Sequence, residues 1–417
     1  MKKLIFAGIA CLSLLSACSN EADIPEYNDI KSNPVKVIWP ENPLKVVGES
    51  NALKANEFAT ELFKKAYAKE SDNACISPTS VFLTLAMMAN GDEGDSRDEI
   101  LNLLGYGEGS DALHDLNVYS NALLVEVPDF NGDTQCGFTN SLWHSPDFSL
   151  LPSFVNDLKE IFGASDVNIW LGDLAGQKAL NRFVEDNTRG MIKDFLKEPM
   201  EIDLGILNTT YFKGTWKQKF DEKHTEKSKF QNLDGSQVKT NFMTLTDMMA
   251  YSYAEDVTAV MLPYAGDRYM MTVIMPDEGI EFNDFLLSFD SEKISKISSS
   301  FRSGRIKLRL PKFEQESNAN IINILREMGL EETIFPGINR AASHPIELCA
   351  FQHAVKIIVN ENGTEGGAAS LGGFFTTSVP NIDAMPIEPI FFDRPFIYMI
   401  RDTISGTILF MGAVTSF

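Results

Sequence analysis

FQHAVKIIVNENGTEGGAASLGGFFTTSVPNIDAMP, Phe351 to Pro386, is the stretch that decides the fold. Phe351 to Asn360 is rich in apolar and β-branched residues and reads as a strand. Gly363, Thr364, Gly366, Gly367, Ala368, Ala369 and Ser370 follow, all small. A surface loop accepts such residues. They also suit a segment that must at times become a strand inside a packed sheet, where bulky side chains clash and a proline breaks the ladder. Thr364, Ala368 and Ser370 stand at even spacing, as one face of that strand requires. Between Lys356 and Arg394 lie 37 residues without Lys or Arg, where 36 basic residues in 417 would give about three.

The surrounding chain reads as one large α+β domain. Ala55, Phe58, Ala59, Leu62, Phe63 and Ala66 recur at helical spacing, and ordered structure is expected from about Asn51. Asn73 to Gly91 starts a second helix, with Ser77 placed to cap it, Pro78 in its first turn and Gly91 ending it. Leu101 to Val125 reads as helix with a Gly-rich break. Phe154–Phe162, Ala175–Asp186, Met191–Leu196 and Asn318–Met328 also read as helices. Strands are expected at Phe138–Leu142, Ile206–Trp216, Val257–Leu262, Tyr269–Ile274 and Arg305–Leu310, with a hairpin of Pro395–Ile400 and Thr407–Gly412. Helices crowd the first half and strands the second, which suits antiparallel sheets rather than regular α/β alternation.

The first residues read as an address. Met1-Lys2-Lys3 precedes an apolar run, Leu4 to Ala17, of signal-peptide length. Leu15-Ser16-Ala17-Cys18 resembles the lipobox of bacterial lipoproteins, which implies a signal peptide of 1–17 and lipid on Cys18. Residues 18–47, with Pro25, Pro34, Pro40 and Pro43, then read as a tether and 48–417 as the domain. The expected location is extracytoplasmic, on a bacterial membrane, most simply the outer one, held by lipid alone. A formal charge of −22 argues against nucleic-acid partners, whose phosphates are bound through Lys and Arg. Cys75, Cys136 and Cys349 form neither a disulfide framework nor a zinc spacing and are expected to be small buried residues.

The search for a catalytic set fails. There is no G-x-S-x-G, H-E-x-x-H or phosphate-binding G-x-x-x-x-G-K-S/T motif. Gly105 to Gly109 (GYGEG) follows a helix and reads as a turn. Asp129 to Asp133 (DFNGD) lacks the glycine of a calcium loop. His344 and His353 have no partner at metal-ligand spacing. No enzyme activity, metal or cofactor is expected.

Five separated stretches, in order, resemble the serpins, inhibitors that trap serine proteases. They are Asn73–Ile100, Val184–Leu196, Leu207–Phe220 (LNTTYFKGTWKQKF), Phe351–Ser370 and Phe392–Val414. The resemblance covers about 50–417. It implies three β-sheets, eight or nine helices and an exposed reactive-centre loop, here about 361–390. It implies a suicide substrate: a protease acylates itself on the loop, and the loop enters the central sheet before hydrolysis finishes. The expected partner is a serine protease, with cysteine proteases as a second class, and the expected state is a monomer.

Residue by residue, the resemblance assigns Ser77, Ser80, Asn208 and His353 to a hydrogen-bonded shutter beneath the opening sheet. It assigns Trp216 to the breach where insertion begins, and Glu361, Gly363, Thr364, Glu365, Gly366, Gly367, Ala368, Ala369 and Ser370 to the hinge. Counting seventeen residues from Glu361 gives Thr377–Ser378 as the reactive bond. Counting back from Phe392 gives Ala384–Met385. The hinge count is preferred, because inserted length sets how far the protease is dragged. A loop without Lys or Arg disfavours trypsin-like targets, whose pocket selects a cation. Elastase-like enzymes fit best, then chymotrypsin- or subtilisin-like ones. Gly366 and Gly367 replace the family's alanines, and fixing glycine in a strand costs about 0.5–1 kcal/mol more. The alternative is therefore a non-inhibitory serpin acting as a binding or structural lipoprotein.

Overall fold

A computed structural model describes residues 35, 37, 43–70, 72–130, 132–364 and 386–417. In chain order its helices are α1 (Pro43–Glu70), α2 (Pro78–Asn90), α3 (Asp95–Leu103), α4 (Gly109–Glu126), α5 (Pro152–Phe162), α6 (Leu174–Asn187), α7 (Phe282–Leu287), α8 (Ser291–Ser299) and α9 (Ile322–Glu327). The strands are β1 (Ala74–Ile76), β2 (Gln135–His144), β3 (Ser165–Asn168), β4 (Leu204–Thr215), β5 (Glu226–Gln231), β6 (Gln237–Ser252), β7 (Val257–Pro263) and β8 (Tyr269–Pro276). They continue with β9 (Arg302–Pro311), β10 (Phe313–Asn320), β11 (Gln352–Asn360), β12 (Gly363–Thr364), β13 (Glu388–Phe391), β14 (Phe396–Asp402) and β15 (Ile408–Val414).

The α+β class and the nine helices among the described residues match expectation. Hydrogen bonding joins the strands into two networks, of order β1-β15-β14-β8-β7-β6-β9-β13, with β5 beside β6, and β10-β11-β12-β4-β2-β3. The larger one is continuous because β6 is long. It pairs with β5 and β9 along most of its length and with β7 over Ala250–Ser252, so one strand runs from one sheet into the next.

The centre is built from the least polar segments. β15 is buried at every position, which its unbroken apolar run allows because both faces are covered. α2 lies beneath the six-stranded sheet and is buried from Pro78 to Ala89. A second apolar cluster, including Trp143, Leu180, Phe183 and Leu207, seals α6 against that sheet's other face.

Several local expectations need correction. α1 begins at Pro43, within the stretch read as tether; a proline is tolerated there because the first helical N–H needs no partner. Met191–Leu196 is not helical. Its backbone is satisfied by side chains: Asn181 accepts from the Leu196 N–H (2.7 Å) and donates to its carbonyl (2.8 Å), while Asn318 donates to the carbonyls of Asp194 and Phe195. Asn318–Asn320 end β10 instead of opening a helix, because the ladder with β11 runs as far as Asn320↔Gln352. Ser77 occupies the N-cap position of α2 but does not cap; its hydroxyl donates to the Leu409 carbonyl (2.9 Å). Cys75 and Cys136 are buried, whereas Cys349, in the irregular segment before β11, is exposed.

Candidate functional site

β11 alternates half-buried and buried residues from Gln352 to Asn360, so His353, Val355, Ile357 and Val359 face inward. Its outer edge pairs with β10. β4 pairs with β2 along Leu204–Lys213. Among the described residues, only β12, two residues long, stands between β4 and β11. Thr364 lies opposite Val359 and Gly214, and Gly363 opposite Asn360 and Thr215. Below it, no described strand separates the facing edges of β4 and β11. A cavity of about 150 Å³ occupies this slot, bounded by Ser77 before α2, Ser80 of α2, Asn208, His353, and Val184 of α6.

The mouth of the slot is tightly built. A β-carbon on Gly363 would lie 1.8 Å from the Gly214 carbonyl oxygen, and Gly363 has φ +154°. A β-carbon on Gly214 would strike the Tyr264 ring at 2.3 Å. Glycine at 363 lets β12 approach β4 this closely, and glycine at 214 makes room for the Tyr264 ring. The Thr364 and Tyr264 hydroxyls share a 2.6 Å hydrogen bond, both buried. Trp216 stacks on Tyr264 with centroids 4.6 Å apart, and its indole N–H donates to the Asn360 carbonyl (2.8 Å). The Trp216 backbone N–H donates to the Asn362 carbonyl (2.9 Å). Glu361 is buried at the turn. Its carboxylate contacts Lys312 Nζ (2.8 Å) and accepts from the Thr225 hydroxyl (2.7 Å). Burial works against ionisation there, but these two partners outweigh it and hold the carboxyl below its ordinary pKa.

The four shutter candidates do come together at the slot floor, though not through side-chain pairs. The Ser77 backbone N–H donates to His353 Nε2 (3.1 Å), and the Ser80 hydroxyl donates to the Asn208 carbonyl (3.3 Å). The Asn208 amide instead donates to Asn140 Oδ1 (2.8 Å) and its oxygen accepts from Thr210 (3.1 Å). Because Nε2 accepts, His353 is neutral; burial pushes its pKa down to about 4.

Over the slot runs the segment between α6 and β4. α6 holds it through Asn181 and Gln177, and β10 through Asn318, so it bridges the slot from one side to the other. Gln352 of β11 donates in turn to Asn318.

Tyr264, Gly214, Asn140, Lys312 and Thr225 were not singled out from the sequence. Gly214, two residues before Trp216 in KGTW, offered a local signal; the others lie far away in the chain. Glu365–Ser370, Thr377–Ser378, Ala384–Met385 and Cys18 lie outside the described residues. Among the described residues no group of three or more His, Cys, Asp or Glu could hold a metal ion.

Comparison with known proteins agrees with this geometry. The chain is 31% identical over 367 residues to an uncharacterised serpin-like protein of Thermococcus kodakarensis, covering 86% of this chain and 83% of that one. It is 26% identical over 375 residues to iripin-8 of Ixodes ricinus, covering 87% and 92%. Among solved structures, native tengpin, a thermophilic serpin, superposes with a TM-score of 0.79 at 23% identity, covering 94% of this chain and 99% of that one. Thyroxine-binding globulin in complex with thyroxine gives 0.77 at 20%, covering 88% and 98%. The family model described as serpin (serine protease inhibitor) matches residues 53–417, and the chain therefore belongs to the serpin family.

Proposed function

We propose that this serpin inhibits serine proteases by acyl-enzyme trapping with loop insertion. Serpins are typically protease inhibitors rather than enzymes. The observation that carries the reading here is β12: two hinge residues, Gly363 and Thr364, already sit between β11 and β4 at the mouth of a slot. The edge of β4 that faces the slot, Leu204 to Lys213, is ten residues, about 33 Å at 3.3 Å per residue. The ten residues after Thr364, Glu365 to Phe374, contain no proline, so each can pair with both neighbours.

A protease that cleaves the loop becomes esterified to its new C-terminal residue. The freed loop then extends β12 down the slot and carries the ester with it. Each hydrogen bond gained contributes about 0.5–1.5 kcal/mol net, and the strand gains them on both edges. Elastase-like proteases are the favoured targets, with Thr377–Ser378 as the bond cut and Ala384–Met385 as the runner-up. Mixing the protein with pancreatic elastase should give an adduct that survives denaturing electrophoresis, with the cut mapped by mass spectrometry. Cleavage without adduct, across elastase, chymotrypsin and subtilisin, would favour the non-inhibitory alternative.

The proposal extends to location. Lipid on Cys18 would hold the domain outside a bacterial membrane; what supports this is the signal-like run ending in Leu15-Ser16-Ala17-Cys18. Detergent-phase partitioning should then be lost in Cys18→Ser, and equal partitioning of both forms would refute it.

A further inference from the structure

An asparagine followed by glycine loses its side-chain amide readily, because no β-carbon hinders attack by the next backbone nitrogen. The chain holds three such pairs, Asn90-Gly91, Asn131-Gly132 and Asn362-Gly363. Asn131 lies outside the described residues. The fold treats the other two oppositely. Asn90 ends α2 with both amide atoms engaged. Its Nδ2 donates to the Ala86 carbonyl and to Asn117 Oδ1 (both 2.8 Å), and its Oδ1 accepts from Asn117 Nδ2 (2.8 Å). The Gly91 N–H donates to the Met88 carbonyl (2.9 Å), which holds that nitrogen in place.

Asn362 stands in the turn between β11 and β12. It is exposed, and its side chain makes no hydrogen bond among the described residues. Only its backbone is held: the N–H donates to Asn360 Oδ1 (2.9 Å) and the carbonyl accepts from the Trp216 N–H (2.9 Å). Gly363 is the end residue of β12, so freeing its nitrogen opens one terminal pair and not a whole ladder.

We propose that Asn362-Gly363 is a site of spontaneous deamidation that ages the hinge and withdraws β12 from the sheet. The inference rests on the reading of the loop as an inserting strand and adds a modification that regulates it. The Gly363 nitrogen gives its proton to hydroxide and attacks the Asn362 side-chain carbonyl carbon. An N–Cγ bond forms and closes a five-membered imide. The Cγ–Nδ2 bond breaks, and the departing nitrogen takes a proton from water and leaves as ammonia. Water then opens the imide. Breaking the N–Cγ bond gives aspartate. Breaking the bond to the main-chain carbonyl gives isoaspartate, whose backbone runs through Cβ and Cγ.

The isoaspartyl link lengthens the main chain by one carbon immediately before Gly363. The mouth of the slot has no room for it, since even a β-carbon on Gly363 would lie 1.8 Å from the Gly214 carbonyl oxygen. Either product also sets a carboxylate beside buried Glu361, whose charge is already matched by Lys312 (2.8 Å). Shifting β12 gives up the Thr364–Tyr264 hydrogen bond.

The test compares fresh protein with protein held for weeks at mildly alkaline pH and body temperature. Peptide mapping should find aspartate and isoaspartate at position 362 and intact asparagine at position 90. Hydrogen exchange should show lost protection at Thr364 and at the β4 edge around Gly214, a readout that needs no protease. The adduct share of the modified fraction with elastase should fall about fivefold. Aged Asn362→Gln should match its own fresh sample, because glutamine must close a six-membered ring. An intact Asn362, or conversion no faster than that of Asn90, would overturn the site. Conversion with unchanged protection, or equal loss of adduct in the parent and in Asn362→Gln, would overturn its effect on the hinge. Fresh protein that forms no adduct would refute trapping itself, and mapping and exchange would still decide this site.

Discussion

Under the proposed trapping mechanism, Gly363→Ala should convert the protein from an inhibitor into a substrate. The added carbon would meet the Gly214 carbonyl oxygen at 1.8 Å, and that oxygen belongs to the backbone of β4, which cannot swing aside as a long side chain could. Alanine also disfavours the φ of +154°. Either β12 leaves the sheet or β4 and β11 part. Leaving the sheet breaks the Thr364–Tyr264 hydrogen bond and exposes the stacked Tyr264–Trp216 pair. Strain of about 1–3 kcal/mol at this position, added to the insertion barrier, slows insertion about tenfold or more. Deacylation of the bound protease does not feel that strain and wins. The share of loop ending as stable adduct with elastase should fall about tenfold while the total cleavage rate holds or rises. Asn362→Ala, one residue away, is the control for general damage. An unchanged adduct share would refute the packing argument.

Acid should destabilise the protein through His353. Its pKa is near 4 in the fold and about 6.5 in the unfolded chain, so between these values the unfolded chain binds a proton that the native state refuses. The contribution is complete above about pH 6.5, falls with pH, and is lost by about pH 4, a total of about 3 kcal/mol. Glu361, with its lowered pKa, adds a loss of the same sense at lower pH. Asp92 acts oppositely. Burial raises its pKa to about 6, so it is stabilised by proton uptake as pH falls below that value. His353→Gln separates these contributions, because a glutamine oxygen can accept the Ser77 N–H but cannot titrate. Urea unfolding at pH 7, 6, 5 and 4 should show the variant losing less stability than the parent across this range. Parallel curves would mean that His353 is solvated and its burial misjudged. Comparing slopes keeps the test valid even if the variant starts less stable.

What was legible in the sequence was what local chemistry dictates. The run Phe351–Asn360 had to be a strand, and Gly363-Thr364 could enter a sheet only because both are small. The C-terminal hairpin followed from two apolar runs around a turn. The slot itself was not legible, because a sequence names strands and not the space left between them. Nor was Tyr264 as the partner of Thr364, separated by 100 residues. Met191–Leu196 misled because its apolar spacing suits a helix, while Asn181 and Asn318 satisfy its backbone from other elements. β6 went unseen because its buried positions do not alternate regularly. Cys349 followed the general tendency of free cysteines to be buried, but the irregular segment before β11 leaves it exposed.

The central claim is that the slot between β4 and β11 accepts the loop beyond Thr364. Thermal unfolding of the protein before and after a single cut in the loop tests it most directly. If the cut loop fills the slot, ten or so residues gain paired backbone groups on both edges, and the transition should rise by about 20 °C or more. A cut chain that unfolds at the temperature of the intact one would contradict the account.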